Sequence, residues 1–171
     1  MTAVPSPTPA PAPSVRRRLA SMLYEGMLLF GVLFVAEYLF ARLTRQTHAL
    51  YLRQYEMGFL FVVLGAYFGW CWSHGGQTLA MKTWRIRVVR QDGGPLSLPH
   101  ALLRYVAAWL WFLPPLLALQ AIGIQTLRYN SFVLVAAWLL AYAWIARANA
   151  PRQFLHDLLC GTRLIDTQPR G

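Results

Sequence analysis

Charge is scarce in this sequence. Only 13% of its 171 residues are Asp, Glu, Lys or Arg, and the acids number six. A soluble domain carries about 25%, so the composition argues against an ordinary soluble enzyme. Low hydrophobicity is also missing: 57% of the residues are hydrophobic, which excludes an intrinsically disordered chain. Cysteine is nearly absent. Cys71 and Cys160 show neither CxxC spacing nor a neighbouring Cys/His cluster, and both read as small apolar filler. No Ser-His-Asp, HExxH, P-loop or GxGxxG pattern appears, so no catalytic site can be assembled and the chain reads as a non-enzyme. The histidines at 48, 74, 100 and 156 lack i, i+3 or i, i+4 pairing. Neither metal nor haem ligation is expected, and no cofactor.

Long apolar runs fill the space left by these absences. Leu19–Ala41 is 23 residues long; as a helix it measures about 34 Å, enough to cross a hydrocarbon core. Met57 to Met81 contains no Asp, Glu, Lys or Arg. Tyr105–Leu127 and Tyr129–Ala146 are two further uncharged runs, the former interrupted by Pro114-Pro115, which should kink it. The pattern predicts an all-α membrane protein: a four-helix bundle with spans near 19–41, 57–74, 105–127 and 129–146. Ahead of them, MTAVPSPTPAPAPS reads as an extended, disordered tail, because alternating proline blocks helix. The apolar run after Arg16-Arg17-Arg18 is too long for a secretory signal.

The net charge of +10 could suggest nucleic acid. The bases lie between apolar blocks, however, and form no basic stripe, so they are read as topological and the lipid bilayer as the partner. With four spans, 12 bases fall on the side of residues 1–18, 74–104 and 147–171, and 4 on the other. Both termini are therefore expected in the cytoplasm. Most of the tryptophans, among them Trp70, Trp84 and Trp144, lie near that boundary, as amphipathic rings do. In the loop after the second span, IRVVR alternates and Asp92-Gly93-Gly94-Pro95 supplies turn chemistry, which predicts a β-hairpin over 84–98. Ser97 would cap the next helix.

Two acids carry the chemical interest. Arg18 and Glu25 are seven residues apart, about 20° short of two full turns, so they share a helix face. Glu25 lies deeper than Arg18, and a carboxylate there needs a partner, water or a proton. It either binds a proton or cation, or it is a fixed, hydrogen-bonded acid that orients the first helix. Glu37 points elsewhere and reads as a surface partner of Arg42 and Arg45. In QFLHDLLCGTRLID, Leu155, Leu158 and Leu159 form an apolar stripe, with Gly161 as a helix cap. Asp157 on that short helix either reaches Arg18 or is a solvated acid on the polar face.

Together these pieces resemble the RDD family of small bacterial membrane proteins, named for one arginine and two aspartates. RRLASMLYEG resembles its first-helix motif, with Arg18 as the arginine. GQTLAMKTWRIRVVRQDGGPLSLPHALLRY follows its central signature, beginning at Gly76, Gln77 and Thr78. LHDLLCGTRLI matches the C-terminal signature, with His156, Asp157, Gly161 and Thr162. The likeness spans residues 16–166. Glu25 stands where the family has its first aspartate, and Leu79-Ala80-Met81-Lys82 departs from the usual Gly-Lys after GQT. The resemblance implies a multi-pass protein of the bacterial inner membrane, in a family whose function is described as uncertain and for which transport is proposed. The expected organisation is a tail over 1–15, a membrane domain over 16–166 and a short tail over 167–171. The expected function is transport of an ion or small solute, alone or as an accessory subunit, with Arg18, Glu25 and Asp157 as a polar network. The alternative is a scaffold in which that network is structural, Gly65 and Gly69 permitting close helix approach. A homo-oligomer or a larger membrane partner would fit either.

Overall fold

The computed structural model describes residues 12–45, 52–122, 130–148 and 153–168. The proline-rich tail up to residue 11, residues 123–129 at the junction of the expected third and fourth spans, and the last three residues lie outside them. The chain is mostly helical. Helix α1 (Val15–Thr44) opens where the Ser14 hydroxyl accepts a hydrogen bond from the Arg17 amide and ends at Arg45 in the left-handed conformation. Helix α2 (Arg53–Ser73) follows. These two are long and apolar enough to cross a membrane; the bent pair Leu98–Trp111 and Leu113–Leu119, meeting at 40°, gives a third if counted as one span.

The side-chain distribution on α1 inverts that of a water-soluble helix. Arg18, Ser21 and Glu25 are buried, whereas Leu23, Met27, Phe30 and Phe34 are exposed along one stripe, all by more than 60%. Polar groups turn inward and apolar ones outward only where the surroundings are themselves apolar. The exposed stripe thus suits an apolar surrounding, as in a helix apolar enough for a membrane.

After α2 the chain makes a compact cap of α3 (Leu79–Thr83) and β1 (Ile86–Arg90). Next come α4 (Leu98–Ala108), a 3₁₀ turn (Trp109–Trp111), α5 (Leu113–Ile122), α6 (Asn130–Ala148), α7 (Leu155–Leu159) and β2 (Thr162–Asp166). The break between α4 and α5 falls just ahead of Pro114-Pro115. Each proline lacks the N–H that would close the preceding turn and disfavours helix at the residue before it. The chain tightens instead, Phe112 donating to the Trp109 carbonyl at 2.9 Å.

The expected hairpin over 84–98 does not form. β1 pairs antiparallel with β2, Val88 opposite Leu164 and Arg90 opposite Thr162. The Asp92-Gly93-Gly94 turn is present, with Arg90 N–H donating to Gly94 O at 2.9 Å. No strand returns because Pro95 has no N–H to extend a ladder, Leu96 is buried, and α4 begins at once; Ser97 stands at its N-cap position but makes no side-chain capping bond. The sheet closes a core of Trp72, Met81, Ile86, Val88, Leu96, Ala101, Tyr105 and Leu164, which joins α2, α3, α4 and both strands. Close approach of α2 to α4 uses Gly65 and Gly69: a Cβ at Gly69 would lie 3.0 Å from Leu102 Cδ2, and one at Gly65 3.2 Å from Tyr105 Cε1. The GxxxG spacing therefore serves contact within the chain.

Candidate functional site

Arg18, Ser21 and Glu25, at successive turns of α1, line one cavity of about 320 Å³. Leu64, Phe68 and Trp72 of α2 face it, with Thr78, Arg104, Trp109, Phe112, Phe154 and His156 contributed by later elements. The shared face of Arg18 and Glu25 is thus as the spacing predicts. The two do not touch each other: among the described residues no basic side chain forms an ion pair with Glu25.

Glu25 is held by hydroxyls. Tyr67 Oη donates to Oε1 at 2.7 Å and Thr78 Oγ1 donates to Oε2. The GQT run explains why Thr78 stands there. Gly76, at φ +70°, lies so close to β1 that a Cβ would meet the Val88 carbonyl oxygen at 2.4 Å. Its own carbonyl accepts from Val88 N–H at 2.8 Å. Gln77 Nε2 donates to Ile86 O at 2.8 Å. Thr78 then caps α3, accepting from Met81 N–H at 3.2 Å while its hydroxyl proton goes to Glu25. The segment after α2 is pinned to β1 so that one hydroxyl faces α1.

Asp157 is fully buried on α7, which corrects the reading of a solvated acid on a polar face. The helix presents His156 and Asp157 inward and leaves Leu158 and Leu159 exposed, the same inversion as α1. Arg104 holds Asp157: Nε and Nη2 donate to Oδ1 at 3.1 and 2.7 Å, and Thr162 Oγ1 lies 3.3 Å from the same oxygen. The Arg104 guanidinium lies 4.2 Å from the Trp72 ring centroid, a cation–π contact. Arg18 is a neighbour of this cluster through its charge, while its Nε donates to Pro13 O at 3.0 Å and its guanidinium lies 5.8 Å from the Phe154 ring. Burial works against ionised Asp157, but its neighbours, Arg104 foremost, outweigh burial and hold the carboxyl below the usual carboxylate range. Burial pulls the His156 imidazole down to about 4, against the attraction of Asp157. His156 is therefore neutral near pH 7. Gly161, at φ +57°, turns the chain from α7 into β2.

The structure thus places the expected triad in two linked parts: Arg18 and Glu25 on the cavity wall, Asp157 behind them in a clasp. Arg104, the direct partner of Asp157, carried a signal in the sequence. It sits between Ala101 and Tyr105 on a face otherwise made of core residues, although its position at the edge of a span made it look topological. Arg17 carried none. It donates to the Asp166 carboxylate and to Trp84 O, tying α1 to the cap. Arg17 also holds the Asp166 carboxyl below its ordinary value. Glu37 forms no ion pair among the described residues, since Arg42 lies five positions on rather than three or four.

His100 lies 2.5 Å from Cys160 O, and His74 stacks on Trp70. Among the described residues no three metal-binding side chains converge. No curated protein and no solved structure matches the chain. Residues 12–161, however, match the RDD family, which takes in the first-helix arginine, the GQT segment and the Asp157 clasp. The chain belongs to the RDD family.

Proposed function

We propose that the chain is a four-span protein of the bacterial inner membrane, both termini in the cytoplasm, whose cavity serves transport of an ion or small solute, alone or as an accessory subunit. The observation that carries this reading is Glu25, a buried acid on the wall of a 320 Å³ cavity, satisfied by two hydroxyls and without a basic partner among the described residues. A hydroxyl reverses its hydrogen bond by rotation alone. The surroundings of Glu25 therefore adjust to a bound cation without any backbone rearrangement, as a site that loads and releases a solute requires. α6 supplies the fourth span, and the excess of bases beside the cap supports the orientation.

The test is flux in proteoliposomes under a panel of ion and pH gradients. Glu25→Gln, folded normally, is expected to lose gradient-driven flux by about tenfold or more; wild-type flux in that variant removes the mechanism. Cysteine labelling from either side at exposed loop positions checks the orientation.

The Arg104–Asp157 clasp favours a second reading. It joins α4 to α7 through a buried ion pair that makes no hydrogen bond to Glu25 among the described residues. A scaffold or assembly partner requires such a clasp and no transported solute. Stable co-purification with one larger membrane protein, without flux by the isolated chain, distinguishes it. In neither reading is the chain an enzyme.

A further inference from the structure

The charged groups around the cavity are not equally compensated. Arg104 is committed to Asp157 through two donors on one oxygen. Glu25, only 8% exposed, has both carboxylate oxygens occupied by hydroxyls, Tyr67 and Thr78, and no basic residue within ion-pair distance among those described. Hydroxyls satisfy lone pairs but supply no countercharge, so the acid retains its attraction for a cation. The wall beside it is apolar and aromatic: Leu64, Phe68, Trp109 and Phe112.

An inorganic cation stripped of water needs about six oxygen ligands. Besides Glu25, the described residues that line the cavity offer side-chain oxygens only from Ser21, Thr78 and Tyr105. An alkylammonium needs less: one carboxylate for its nitrogen, aromatic faces for the adjoining carbons, and an apolar wall for the rest. We propose that the cavity binds an organic ammonium with an apolar body, its nitrogen against Glu25 and its body among Leu64, Phe68, Trp109 and Phe112. Arg18 and Arg104 line the same cavity and limit the charge the ligand carries. Their positive charge disfavours a second ammonium on the ligand and tolerates a carboxylate beside the first, so the class is restricted to monoamines and zwitterions of the amino-acid type. The proposal rests on the solute-transport reading and names its substrate class.

Binding is measured on the full chain in lipid nanodiscs by calorimetry and by thermal shift. The probes are phenethylamine for the monocation, phenylalanine for the zwitterion, and sodium and potassium chloride. A saturable rise in Tm with either amine is expected. Preference for phenylalanine assigns the site to zwitterions with a carboxylate beside the nitrogen, and preference for phenethylamine assigns it to simple amines. Glu25→Gln is expected to weaken binding about thirtyfold or more, as loss of a buried charged partner does. Ala108→Leu, which keeps Glu25 and narrows the cavity, should weaken binding of both amines while the protein stays monodisperse. This second variant carries the test if Glu25→Gln does not fold. Equal binding by Glu25→Gln, a saturable response to sodium or potassium alone, or no response to either amine overturns the proposal. Ion flux in proteoliposomes without amine binding would sink it and leave transport standing; amine binding without flux of any solute would do the reverse.

Discussion

At the scale of the residue, one arginine decides whether Asp157 stays charged in the interior. Removing Arg104 leaves a fully buried carboxylate without its main countercharge, and Arg104→Leu is expected to destabilise the protein by about 3–5 kcal/mol. Arg104→Leu combined with Asp157→Leu should return most of that loss, since two apolar side chains then replace the pair. Denaturant unfolding in detergent, followed by tryptophan fluorescence, measures both. Acid should weaken the same clasp. Unfolded His156 takes up a proton near 6.5 and the folded imidazole only near 4, so between these values the unfolded state binds more protons and stability falls as pH drops. The shift is worth about 3 kcal/mol at most. Asp157, whose folded pKa is also depressed, adds to the loss at lower pH, where its carboxyl is finally protonated. His156→Gln should flatten the window between 6.5 and 4 in a pH series of melting curves. Sequence spacing was enough to place Arg18 and Glu25 on one face, because helical periodicity is a local property. The Arg104–Asp157 pair was not legible that way. It joins residues 53 positions apart, and neither carries a mark of its partner.

At the scale of the element, the cap depends on a glycine. Gly76 combines a positive φ with a 2.4 Å approach of any Cβ to a backbone oxygen of β1, and backbone cannot swing aside as a side chain can. Gly76→Ala is expected to destabilise by about 2 kcal/mol or more. It should also loosen Thr78 from Glu25, read as faster amide exchange across residues 76–90. The Asp92-Gly93-Gly94-Pro95 run shows where local signals mislead. Its turn chemistry was read correctly, but a turn does not specify that the chain must return as a strand. Pro95 and the buried Leu96 send it into α4 instead. Pro114-Pro115 is the converse case: the break they impose is stereochemical, so sequence alone locates it. The leucines of α7 looked like a core stripe because amphipathicity does not say which solvent lies on the apolar side. In a bilayer the polar face turns inward.

At the scale of the whole molecule, the sheet is the join between the middle of the chain and the segment that follows α7. Arg87 and Ile165 face each other across it. Directly opposed residues lie about 5.5 Å apart at Cα, within disulfide reach. In a background of Cys71→Ser and Cys160→Ser, the pair Arg87→Cys and Ile165→Cys should therefore cross-link under mild oxidation, seen as a mobility shift on non-reducing gels. Arg87→Cys with Ser97→Cys, as a local hairpin would pair them, should not. The order of synthesis gives this join a further meaning. β1 leaves the ribosome before α4, α5 and α6 have been made, and its edge stays open until β2 arrives. The strand pairing is thus a bolt thrown last: a chain halted before residue 162 keeps that edge exposed, which would mark it for the cell's proteases as unfinished.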